Sequence, residues 1–131
     1  MRDIQDRADI ENLIDEFYKI ITVDELIGHH FDGLDLKTHL PIITDFWEKS
    51  LFGTPVYFNN PFEIHKKLHE KSPLKSEHIV RWVNILVATT DRLFSGELAD
   101  LAKSRAAAIG DAFDQRLNGG AKISREPVTP E

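Results

Sequence analysis

The sequence predicts an all-helical domain, and three observations carry that expectation. Apolar residues recur at spacings of three and four in successive segments. Strand-like alternation is nearly absent. The chain of 131 residues suits one hydrophobic core and leaves too little length for two.

The first segment places Ile10, Leu13, Ile14, Phe17 and Ile21 on one helix face. Thr22, Val23 and Asp24 loosen the pattern, and Gly28 and Gly33 bracket a short irregular stretch with His29, His30 and Phe31. A second helix reads from about Asp35 to Leu51, with Leu36, Leu40, Ile43, Trp47 and Leu51 sharing a face until Gly53-Thr54-Pro55. Pro41 has no amide donor and belongs near a helix start, which leaves open whether the regular helix begins with the apolar pattern or later. Residues 54–62 read as a loop, followed by a short helix from Pro61 to about His69 that Ser72-Pro73 interrupts. Ser76 is the expected N-cap of a long helix carrying Ile79, Trp82, Val83, Leu86, Thr90, Leu93 and Phe94. Gly96 separates it from a last helix with Leu98, Leu101, Ala102, Ile109, Ala112, Phe113 and Leu117, closed by Asn118-Gly119-Gly120. Residues 1–118 are thus expected as one domain and 119–131 as a flexible tail. Long connections flanking one short, histidine-bearing helix imply that the middle of the chain wraps something.

Composition removes several function classes. The net charge is −6 and no basic face is visible, which argues against nucleic-acid binding through phosphates. No apolar run approaches the roughly 18 residues of a membrane span. The N-terminus, Met1 to Arg7, is too polar for a signal peptide, so a cytoplasmic location is expected. Without cysteine there are no disulfides, thiolate metal sites or thioether-linked haem. There is no Gly-x-Ser-x-Gly elbow and no phosphate-cradling glycine loop. The abundant carboxylates are expected on solvated helix faces.

Six histidines remain: His29, His30, His39, His65, His69 and His78. His65 and His69, four apart, would point the same way from the short helix, a spacing that suits zinc but lacks a third ligand. His39, Ile43 and Trp47 form another four-residue series, with a polar end and an apolar continuation. Phe17-Tyr18 and Trp82 read equally as packing residues or as buried rings whose O–H and N–H need partners.

Taken in order, these pieces resemble the group III truncated globins, a family with a two-over-two helical sandwich around a haem pocket. The resemblance rests on Phe17-Tyr18, His39-Leu40-Pro41, Phe46-Trp47, Tyr57, Asn60-Pro61 followed by His65 and Leu68, Pro73-Leu74, Glu77-His78, Arg81-Trp82, and Ala102-Lys103 with Arg105-Ala106. It spans about residues 7–117. It implies a b-type haem with His65, four after Pro61, as the iron's ligand, and Phe46, Trp47, Tyr57, Leu68 and Arg81 around the cofactor. Lys66, Lys67 and Arg81 are its candidates for the haem propionates. It implies a distal side made of Tyr18 and Trp82 as hydrogen-bond donors, with His39, Phe17 and Ile43 beside them. The implied ligands are dioxygen, nitric oxide and carbon monoxide. Nitric oxide dioxygenation or peroxide reduction would need an external reductase, since the chain has no flavin or nicotinamide motif. Two alternatives use the same residues: a haem-free helical interaction module, and a zinc protein bound through histidines.

Overall fold

A computed structural model describes residues 1–33, 35–54 and 74–118. Among these the chain forms four α-helices and no strand: α1 (Arg7–Ile21), α2 (Leu36–Phe52), α3 (Ser76–Leu93) and α4 (Glu97–Asn118), with a 3-10 turn at Gly28–Phe31. The expected short helix at residues 61–69 and the tail at 119–131 lie outside the described residues.

Each helix begins or ends for a local reason. Asp6 caps α1 by accepting from the Asp9 amide at 3.1 Å. Gly53, at φ 75°, closes α2 in the left-handed conformation that glycine adopts at little cost. α2 begins at Leu36, where the apolar pattern placed it, and carries Pro41 inside it. Pro41 is exposed and lies in the second turn, so its ring meets solvent and only one helix hydrogen bond, to the Lys37 carbonyl, is lost. The start of α3 differs from expectation by one residue: Lys75 is the cap position, and the Ser76 hydroxyl donates instead to Asp114 of α4 at 2.6 Å. The Lys75 amide donates to Nδ1 of His78 at 2.9 Å, so the imidazole does the capping.

The start of α4 is capped from the far end of the chain. Gly96 precedes it and has no side chain to offer. Asp3 accepts from the amides of Leu98 at 2.9 Å and Ala99 at 2.8 Å, two of the donors that a helix start leaves unpaired. Gly96 at φ 148° makes room, since a Cβ there would come within 2.4 Å of the Asp3 carboxyl carbon. The Ser95 amide donates to the Arg2 carbonyl at 3.0 Å, and Ile4 is buried beside this join. The polar N-terminus is therefore part of the core's edge.

The helices stack in two layers. α1 packs on α2 and α3 on α4; across the layers α1 meets α3 and α2 meets α4. The apolar faces expected from sequence meet in one core built on Ile10, Leu13, Ile14, Phe17, Trp47, Leu86 and the small residues Ala99, Ala102 and Ala106. At the α3–α4 crossing a Cβ on Gly110 would lie 2.6 Å from Cγ2 of Val83, so the two helices approach as closely as a hydrogen allows.

Candidate functional site

The site forms where the aromatic end of α1 faces α2 and α3. Phe17 and Tyr18 are adjacent in sequence and point to neighbouring parts of the core, because both lie at the inner edge of the α1 face. Phe17 meets Tyr18 edge-on at 5.2 Å and Trp82 at 6.1 Å; Phe31 from the 3-10 turn meets Tyr18 edge-on at 5.9 Å. Such pairs each contribute about 0.5–1.5 kcal/mol beyond burial and hold the rings at fixed angles. On α2, Phe46 and Trp47 pack at 85° to each other.

Tyr18 is 6% exposed, and its hydroxyl lies 3.1 Å from Nε2 of His39. Either the hydroxyl donates to a neutral Nε2, or an Nε2–H donates to the phenol oxygen. Burial pushes the phenol well above its ordinary value of 10, so Tyr18 keeps its proton at any physiological pH. Trp82 is half-buried, and its indole N–H has no hydrogen-bond acceptor among the described residues.

Between these groups is a cavity of about 30 Å³, lined by Ile14, Phe17, Tyr18, Ile43, Phe46, Trp47, Trp82, Leu86, Ile109 and Phe113. That is room for one or two small molecules, among residues whose polar side-chain groups are the Tyr18 hydroxyl and the Trp47 and Trp82 indole N–H groups. A second cavity of similar size lies against Ile27, His30, Phe31, Leu74, Ile79 and Leu117 and shares Trp82 and Phe113 with the first.

The structure thus brings together Phe17, Tyr18, His39, Ile43, Phe46, Trp47 and Trp82 from the sequence-derived set. His65, His69, Lys66, Lys67, Tyr57 and Leu68 lie outside the described residues. The Arg81 guanidinium is directed to Asp24, with Nε at 2.9 Å and Nη2 at 2.6 Å from the same carboxylate oxygen. Its Nη1 has no partner among the described residues. Arg81 holds Asp24 well below the usual carboxylate range, against burial and with help from the amides of Ile27 and Leu26.

Carboxylates also depart from expectation. Asp9 is buried and paired with Arg2, while Asp24 is enclosed beneath Arg81. Both are helix or turn neighbours of backbone amides, which lets a charge sit at low exposure. Sequence reasoning missed Ile14, Leu86, Ile109 and Phe113 as cavity walls. The signal was available: Ile14 precedes Tyr18 by four and Leu86 follows Trp82 by four, one turn along the same faces.

Among the described residues, no group of three or more histidine, aspartate or glutamate side chains is arranged to hold a metal ion, and no helix is long and apolar enough to cross a membrane.

Four helices layered two over two, with a small apolar cavity between an aromatic α1, α2 and α3, define a globin-type helical sandwich. Among solved structures the chain is similar to a group III truncated hemoglobin from Campylobacter jejuni, at a TM-score of 0.78 and 23% identity, over 89% of this chain and 95% of that one. The chain therefore has the truncated-globin fold. No protein-family model and no curated protein sequence matches it.

Proposed function

We propose that the chain is a b-type haem protein that binds dioxygen and other small gases such as nitric oxide and carbon monoxide. The observation that carries this reading is the pairing of Tyr18 with His39 at the wall of a largely apolar cavity of diatomic size on a truncated-globin fold. The described residues fit the distal side of a haem pocket. They supply apolar walls, a protonated phenol and an indole N–H without an acceptor, and a space too small for the macrocycle itself. On this reading His65 is the iron's protein ligand, and Tyr57 and Leu68 are further cofactor-binding residues.

When bound, haem supplies an iron position open to a small gas. The chain's own residues then set how long the gas stays. Tyr18 turns its hydroxyl from His39 toward the ligand, and Trp82 offers its N–H. Both bonds strengthen where water is excluded, which is the task of Phe17, Ile43, Phe46 and Trp47. Arg81 holds Asp24 through Nε and Nη2, and it, Lys66 or Lys67 would pair with a haem propionate. Two hydrogen-bond donors favour a ligand that gains negative charge, which suits nitric oxide dioxygenation or peroxide reduction better than bulk oxygen transport. Either reaction draws electrons from an external reductase. A cytoplasmic protein with no nucleic-acid partner completes the proposal.

The test is the absorption spectrum of purified protein, reconstituted with haem, reduced, and exposed to carbon monoxide. A Soret band that shifts with carbon monoxide is the expected result, and His65→Ala is expected to lower haem content or alter the iron's ligation. Absence of the band after reconstitution sinks the reading in favour of a haem-free interaction module. A band unaltered by His65→Ala moves the ligand to His69.

A further inference from the structure

We propose that His29, His30 and His78 form a proton-sensitive latch that seats the 24–31 segment on the first turn of α3. The three imidazoles come from two elements far apart in sequence. Ring centroids lie 4.1 Å apart for His29 and His30, 4.6 Å for His30 and His78, and 6.1 Å for His29 and His78. His30 and His78 are buried.

Hydrogen bonds assign the protons. Nδ1 of His78 accepts from the Lys75 amide at 2.9 Å, so the neutral ring carries its proton on Nε2. Nδ1 of His30 lies 3.3 Å from the Ile27 carbonyl, which only accepts, so that nitrogen carries the proton. Both Nδ1 atoms are thus committed to backbone, and among the described residues the cluster is not arranged to hold a metal ion. The group whose added proton breaks a bond here is His78.

A second proton on His78 would set an N–H at Nδ1 against the Lys75 N–H and end the cap. It would also place a cation at the positive end of the α3 dipole. The neighbouring groups divide. From the 3-10 turn His30 and His29 oppose the charge, as does Lys75, while Glu77 on the same helix favours it. From α4, Asp114 reaches this helix end and accepts from Ser76. The balance is adverse: burial first, then His30, holds His78 below the ordinary histidine value of 6.5. A basic group depressed on folding contributes its full stability above 6.5, and that stability is lost as pH falls toward the folded value.

The other end of the segment does not respond in this range. Arg81 and the amides of Leu26 and Ile27 hold Asp24 as a carboxylate. Acidification therefore frees the histidine end about a fixed Asp24 anchor. Phe31, which braces Tyr18, and Trp82, one turn beyond His78, ride on the two halves of the latch.

Hydrogen–deuterium exchange of the full chain at pH 7.5 and 5, corrected for intrinsic exchange, tests the latch. Protection of peptides covering 24–33 and 74–82 is expected to fall about tenfold for each unit of depression of the histidine value, while the middle of α4 stays constant. His78→Asn keeps an acceptor for the Lys75 amide but does not titrate, and is expected to retain protection at pH 5. Unchanged protection in the wild type, or equal loss in His78→Asn, overturns the proposal. Should that variant not fold, the ring Cε1–H resonances of the wild type decide. Titration of His78 below 6.5 in step with the exchange supports the latch, and independent titration at 6.5 overturns it. None of these readouts passes through haem.

Discussion

Replacing Tyr18 by Phe removes one hydroxyl and leaves the ring's packing against Phe17 and Phe31 in place. The magnitude follows from the bond that the hydroxyl already makes to His39 at 3.1 Å. A hydrogen bond to a charged acceptor contributes about 1.5–3 kcal/mol, and one between neutral groups about 0.5–1.5 kcal/mol. Donating to a gas that has gained negative charge means leaving His39, so the net gain is about 1–2 kcal/mol. That corresponds to dioxygen release about five- to thirtyfold faster in Tyr18→Phe. His39→Leu should act in the opposite direction, because it removes the competing acceptor; release about two- to tenfold slower is expected. The assay is stopped-flow dissociation of dioxygen from reduced, haem-reconstituted protein, with carbon monoxide trapping the vacated site. Release from Tyr18→Phe within twofold of the parent would refute Tyr18 as a donor. Faster release from His39→Leu would mean that His39, and not Tyr18, holds the ligand.

Two stability predictions rest on the frame around the site. Asp3→Ala removes the cap of α4 and should cost about 1–2 kcal/mol, read as a lowered urea midpoint at pH 7. Burial works against the Asp3 charge, but the amides of Leu98, Ala99 and Ile4 outweigh it and hold the carboxyl below its ordinary 3.8. Stability from this group is full above 3.8 and lost as pH falls below it, so the variant's penalty should shrink at pH 3; a constant penalty contradicts the assignment. Gly110→Ala gains about 1 kcal/mol of helix propensity but sets a methyl against Val83, an overpacking cost of about 1–3 kcal/mol. A net loss that Val83→Ala largely relieves is expected in a double-mutant cycle of thermal melts, and additive losses would exclude the contact.

The helices were legible because a helix face is written at a period of 3.6 residues, within one short stretch of chain. That local rule placed Phe17, Ile43 and Trp47 on inner faces. It also placed α2, which runs through the exposed Pro41 in its second turn at the cost of one helix hydrogen bond. The local rule failed at Ser76, whose hydroxyl donates to Asp114 of α4 instead of accepting from an amide of its own helix. The carboxylates misled for a related reason: Asp9 and Asp24 are buried only because Arg2 and Arg81 reach them in the folded chain.

By itself, then, the sequence determined the helical class, the inner faces and the aromatic and polar residue types available to line a pocket. Tertiary structure alone decided which polar atoms meet. Tyr18 finds His39 across 21 residues, Asp3 finds α4 across more than 90, and His30 of the 3-10 turn finds His78 of α3. Burial of an apolar face requires only that its residues be greasy and correctly spaced. A hydrogen bond requires two atoms within about 3 Å at a set angle, and that depends on how every helix seats against the others.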